Sequence, residues 1–179
     1  MAEREKLLDP TGFDEQVADT TLAPRPGSLR GLTIGLLDNT KPNAAPLLRH
    51  VADELRRRHG AGETRLYAKD YFGTPMKEEV LKQLTAECDV VITAVGDCGS
   101  CSAATVADGI MLERAGIPAV SIVSDSFLVS ARAMAQVQGF SGYEFVAVRH
   151  PVASLDEDRL RERVAEVLPD IQRILGVES

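Results

Sequence analysis

Between residues 32 and 175 the sequence switches repeatedly between two hydrophobic periods. Short apolar runs of strand length alternate with stripes spaced three and four residues apart, as on a helix face. Leu32-Thr33-Ile34-Gly35-Leu36-Leu37 reads as a buried strand. Residues 43–58 follow, with Ala44, Leu47, Leu48, Val51 and Leu55 at helical spacing. Thr64–Ala68 reads as a second strand. Thr74-Pro75 predicts a helix start with proline at the first position, and Met76, Val80 and Leu84 form its stripe. Asp89–Val95 is a β-branched third strand, Ser102–Ala115 a helix stopped by Gly116, and Ile117–Val123 a fourth strand. Ser126–Gln138 reads as a helix and Glu144–Val148 as a short fifth strand. Ser154-Leu155-Asp156-Glu157 has the pattern of a capping box and opens a last helix striped by Leu160, Val164, Val167, Leu168, Ile171 and Leu175. Strands alternating with helices predict an α/β fold: a three-layer, doubly wound sheet of about five mainly parallel strands.

The first 29 residues lack any sustained period and contain Pro10, Gly12, Pro24, Pro26 and Gly27. They read as an extended N-terminal arm, packed on the core or on a neighbour, ahead of a single α/β domain at 30–179. The 179-residue chain fits one domain and can bury a core without disulfide staples. Its net charge of -7 argues against nucleic acid, because phosphate binding needs clustered cations. The one basic cluster, Arg56-Arg57-Arg58-His59, falls at a helix end and complements the dipole there. No run approaches the ~20 apolar residues of a membrane span, and Met1–Lys6 does not open a signal peptide. The expected location is the cytoplasm. An arm of this length points to a homo- or hetero-oligomer.

Cysteines in the cytoplasm seldom form structural disulfides, so a close pair means metal or redox chemistry. Cys88 stands alone before a strand and reads as a small core residue. Cys98 and Cys101 lie in the run Gly96-Asp97-Cys98-Gly99-Ser100-Cys101. In open α/β sheets, ligands bind beyond the carboxyl ends of the strands. The pair meets that rule, following the third strand, with Cys101 at the turn into the next helix. A thiol at a helix N-terminus is favoured as thiolate, and a second cysteine in the turn can attack a mixed disulfide formed on the first. Gly99, Ser100 and Ser102 would line a substrate there. A structural zinc site needs four ligands, so metal binding requires another chain to complete the set. A three-thiolate metal claw fails because Ala103 stands where its last cysteine belongs. No cofactor is evident.

Other strand ends supply further candidates. Asp38, Asn39 and Lys41 follow the first strand. Lys41 could hold an anionic substrate or stabilise a thiolate, and Asp38 and Asn39 could orient polar groups or cap the next helix. Ser124-Asp125-Ser126 follows the fourth strand as either a cap or a site, with Ser124 taken as a substrate contact. His150, before Pro151, lies after the fifth strand, where it is either structural or exchanges a proton near neutral pH.

Gly31-Leu32-Thr33-Ile34-Gly35-Leu36-Leu37-Asp38-Asn39-Thr40-Lys41-Pro42-Asn43 and the run Gly96–Cys101 resemble the UGSC-type (seleno)protein family, named for a selenocysteine-Gly-Ser-Cys motif. Cys98 stands at the selenocysteine position. The resemblance covers most of residues 30–155. More distantly, Cys98–Cys101, Leu112-Glu113-Arg114-Ala115-Gly116-Ile117-Pro118 and His150-Pro151 are similar to the C-terminal part of the selenoprotein B subunits of glycine, sarcosine and betaine reductases. There a selenocysteine attacks carbon and forms a selenoether. The resemblance implies that Cys98 is the nucleophile and Cys101 its partner. This chain carries sulfur, is far shorter and has no evident pyruvoyl-generating segment, which counts against glycine reduction itself.

The combined expectation is a thiol-dependent enzyme, or enzyme subunit, acting on a small molecule by C–X bond cleavage or formation, or by group transfer through a thioether. Two other classes remain open. One is an accessory subunit whose cysteine pair binds metal or relays a disulfide. The other is a thiol-disulfide oxidoreductase.

Overall fold

The computed structural model describes residues 19–177. Its strands are β1 (Ile34–Asp38), β2 (Thr64–Ala68), β3 (Val90–Gly96), β4 (Ala119–Ser124) and β5 (Val146–Val148). All pair in parallel, in the order β2-β1-β3-β4-β5. β3 is central and buried along its whole length, which explains its unbroken apolar run. Helices α1 (Ala44–His59) and α5 (Glu157–Leu175) cover one face. The other face carries α2 (Glu78–Glu87), α3 (Gly99–Arg114) and α4 (Leu128–Val137). The architecture is thus the three-layer α/β fold that the alternating periods predict.

The chain reverses its direction of travel across the sheet between β1 and β3. The crevice at such a reversal is where doubly wound sheets place ligands. Here the crevice is bordered by the segments after β1 and β3. Asn39 ties the two together. Its backbone N–H donates to the Ala94 carbonyl at 3.1 Å and its Nδ2 to the Val95 carbonyl at 2.8 Å.

Several boundaries differ from the sequence reading, each for a local reason. α2 starts at Glu78 rather than at Pro75. The Met76 N–H donates to the buried Asp108 carboxylate at 2.6 Å, which holds the residues before the helix extended. α5 starts at Glu157, with Asp156 and not Ser154 as its cap, and Asp156 Oδ1 accepts the Arg159 N–H at 2.9 Å. Asn43 Nδ2 donates to the carbonyls of Val152 and Leu155, both at 2.9 Å, and keeps the segment ahead of α5 in a turn. A short 3-10 turn at Asp125–Phe127 precedes α4. Most consequential, α3 begins at Gly99, three residues ahead of Ser102.

Residues 19–29 of the arm lie against the domain. The Ala23 N–H donates to Glu113 Oε2 at 2.7 Å, Arg25 pairs with Glu113 at 2.9 Å, and Leu29 is fully buried. The rest of the arm lies outside the described residues.

Two features of α3 fix it against its surroundings. A Cβ at Gly109 would collide with the Tyr143 hydroxyl and with Ser121 Oγ, so only glycine allows this approach to the sheet. Asp108 forms an ion pair with Lys69 at 2.6 Å, and both side chains are almost wholly buried. Burial pushes the Asp108 carboxyl up to about 6, against the pull of Lys69 and of the Met76 N–H, so it remains charged at neutral pH.

We expect Gly109→Ala to destabilise the fold by about 1–3 kcal/mol in urea denaturation, the cost of forcing a methyl into a packed site. Lys69→Met should cost more, roughly 3–5 kcal/mol, because it strands the Asp108 charge. In the double variant Lys69→Met/Asp108→Leu, much of that loss should return.

Candidate functional site

The Cys98-Gly99-Ser100-Cys101 run sits where β3 hands over to α3. Gly96 makes the hand-over possible: a Cβ there would lie 2.6 Å from Ser102 Cα and 2.7 Å from Val123 Cγ1. Cys98 is the N-cap of α3, and its sulfur accepts the Cys101 N–H at 3.2 Å. This corrects the expectation that Cys101 marks the turn into the helix. Cys101 lies inside the first turn and is fully buried, whereas Cys98 is partly exposed. The two sulfurs form a disulfide, with Cα atoms 5.2 Å apart. When the bond is reduced, the exposed cap position places the Cys98 sulfur at the positive end of α3, which favours its thiolate.

The other residues of the motif divide by role. Ser100 is exposed, with Oγ 3.6 Å from Cys98 Sγ. Gly99 is the first residue of α3 and faces Ser130 on α4. Ser102 is fully buried. Its hydroxyl is within hydrogen-bond reach of the Cys98 carbonyl at 2.8 Å and the Gly96 carbonyl at 3.0 Å, so it shapes the loop.

Asp97, which the sequence reading passed over, is the hub of this edge. Its carboxylate is 3% exposed. It accepts hydrogen bonds from the Ser124 hydroxyl, the Val152 N–H at 3.1 Å, the Ala153 N–H at 2.9 Å and His150 Nδ1 at 2.9 Å. One side chain thereby joins the segments after β3, β4 and β5. Burial pushes the Asp97 carboxyl up, but donors from Ser124, Ala153, Val152 and His150 outweigh it and hold the group below its ordinary value.

That network also orients His150. A neutral imidazole beside a carboxylate carries its proton on Nδ1, which leaves Nε2 as the basic nitrogen. The His150 N–H donates to Asp125 Oδ1 at 3.1 Å, and the Phe127 ring stands edge-on to the imidazole at 5.4 Å. The side chain is 37% exposed. Ser124, also a candidate, is fully buried and engaged with Asp97.

The segment after β1 lies on the same edge. Asp38 is half-buried, and burial raises its pKa although Oδ1 accepts the Thr40 N–H at 2.7 Å. Neither Asp38 nor Asn39 caps α1, whose N-cap is Asn43 in the left-handed conformation. Asn39 is fully buried in the crevice floor. Lys41 is half-buried, with Nζ 4.2 Å from the centroid of the Phe72 ring. The loop after β2, carrying Tyr71, Phe72 and Gly73, was likewise missed by the sequence reading. Among the described residues, no group of three or more His, Cys, Asp or Glu side chains is placed to hold a metal ion.

Asp97 makes a pH-dependent contribution to stability. Its folded pKa lies below the ordinary value of 3.8. The stabilisation is therefore present above that value and is lost as pH falls through the folded one. We expect Asp97→Asn to cost about 2–3 kcal/mol at neutral pH, with the gap to wild type narrowing in acid. Urea denaturation across a pH series measures both.

Among curated proteins, none matches the chain. The UGSC family model matches residues 6–177. A match that spans the sheet, both helical layers and the Cys98–Cys101 motif makes this chain a member of the UGSC family.

Proposed function

We propose that the chain is a thiol-dependent enzyme, or the thiol-bearing subunit of one, in which Cys98 attacks an electrophilic carbon or sulfur of a small molecule. The observation that carries this reading is the asymmetry of the pair. Cys98 is accessible at the cap of α3, and Cys101 is buried within bonding reach behind it. A nucleophile needs access to substrate, and a resolving thiol needs access only to the nucleophile.

The chemistry balances as follows. The Cys98 thiolate displaces X⁻ from R–X to give a thioether. Where R is a carbon beside a carbonyl, the Cys101 thiolate attacks the Cys98 sulfur and releases R as a carbanion, which takes a proton. The sum is two thiols plus R–X giving the disulfide, R–H and HX. An external dithiol then reduces the disulfide. Steps before the resolving attack amount to group transfer through the thioether. His150, with Nδ1 on Asp97, exchanges protons at this edge through Nε2.

The Cys98–Cys101 disulfide favours a second reading, a thiol-disulfide oxidoreductase, in which the electrophile is the sulfur of another disulfide. In an accessory-subunit version, the same pair relays electrons to a larger partner or completes a metal site with it. A cytoplasmic home and a homo- or hetero-oligomer fit these readings. Among the described residues, no helix is long and apolar enough to cross a membrane.

After reduction, we expect iodoacetamide at pH 7 to label Cys98 well before Cys101, and Cys98→Ser to abolish activity. Incubation with cell metabolites should leave a covalent adduct on Cys98 detectable by mass spectrometry. Equal, slow labelling of both cysteines would overturn the activated thiolate. Stoichiometric metal in the purified protein would favour the accessory role.

A further inference from the structure

Four lysines fall among the described residues. Lys69, Lys77 and Lys82 each pair with a carboxylate, at 2.6, 2.5 and 2.8 Å. Lys41 pairs with none among those residues. It is half-buried against the face of Phe72 instead, at the edge that carries Cys98. A cation over a ring keeps its charge available to an anion on its other side.

Phe72 does not stand alone. Its ring centroid lies 4.4 Å from that of Tyr71, which is 52% exposed. Tyr71 is exposed and Phe72 half-buried, their rings are tilted by 36°, and neither belongs to a core cluster, which makes the pair candidate ligand surface. The next residue brings this pair to the cysteines. A Cβ at Gly73 would lie 2.9 Å from Tyr71 Cε1 and 3.4 Å from Ser100 Oγ, and Ser100 Oγ is 3.6 Å from Cys98 Sγ. Lys41, Phe72, Tyr71, Ser100 and Cys98 therefore form one continuous surface. Its sequence is cation, aromatic wall, hydroxyl, nucleophile.

We infer that Lys41, Phe72 and Tyr71 form the recognition subsite of this centre, selecting small anionic molecules whose flat or apolar body leads to the electrophilic atom presented to Cys98. The inference rests on Cys98 being the nucleophile and names the class of molecule it meets. Lys41 binds the carboxylate or other anionic group. Tyr71 and Phe72 cover the body. Ser100 offers its hydroxyl beside the reacting sulfur.

Binding and reactivity are tested separately. In Cys98→Ser protein, nitrobenzoate should shift backbone NMR signals at residues 71–73 and at Lys41, and the uncharged nitrobenzamide should bind more weakly. Shifts confined to other regions, or no shifts, overturn the subsite whatever the thiol does. In reduced wild-type protein, Cys98 should react with the anionic disulfide dithiobis(nitrobenzoate), the neutral aromatic dithiodipyridine and the neutral aliphatic hydroxyethyl disulfide. Lys41→Met should slow the anionic reagent about fivefold and leave both neutral reagents unchanged. Equal slowing of all three means that Lys41 acts on the thiolate, which overturns its role in recognition. Tyr71→Ala and Phe72→Leu should slow both aromatic reagents about fivefold and spare the aliphatic one. Failure of Cys98 to react with any reagent, alongside the NMR shifts at Lys41 and residues 71–73, would refute the nucleophile and retain the subsite.

Discussion

The buried Asp97 carboxylate is the constraint on which this edge of the sheet depends. A charge removed from water must be repaid by donors, and Asp97 finds them on two segments besides its own. Ser124 ends β4, while His150, Val152 and Ala153 follow β5. Asp97 therefore fixes the relative positions of the cysteine motif and the histidine. Its lowered pKa keeps it an acceptor across the whole neutral range. On the other side of the motif, Asn39 performs a neutral version of the same task, binding the segment after β1 to the carbonyls of Ala94 and Val95.

Most of the fold was legible in the sequence because its signals are local. Valine and isoleucine in β3, and the leucine stripes of α1 and α5, report their own environments. Boundaries were less legible where a distant group decides them. The start of α2 is set by Asp108, which lies 32 residues from Met76. The turn before α5 is set by Asn43, 109 residues from Val152. The start of α3 was missed because Gly99 and Ser100 are poor helix formers, and the Cys98 cap lies outside the usual set of Ser, Thr, Asp and Asn. That error bore directly on the chemistry, since it placed the wrong cysteine at the end of the helix.

The site was legible in part. The cysteine pair, His150 and Lys41 follow from the rule that function gathers beyond strand ends. Asp97 obeys the same rule and stands beside Cys98, yet nothing local announces its contact with His150, 53 residues away. Tyr71 and Phe72 gave a weak signal that could have been used: two adjacent aromatic residues directly after β2, in a chain with only 4% aromatic content. Ser102 and Ser124 were read as substrate contacts, and both are fully buried. Their side chains turn out to serve the backbone and Asp97.

The buried Lys69–Asp108 pair has a meaning beyond stability. Asp108 grips Lys69 through its side chain and Met76 through its backbone, so both feet of the loop after β2 are anchored to a single residue of α3. The tip at Tyr71-Phe72-Gly73 is spared that constraint. A loop built this way is an exchangeable cassette. Its tip can be rewritten during divergence while the frame beneath it, and the cysteine pair at the head of α3, keep their geometry.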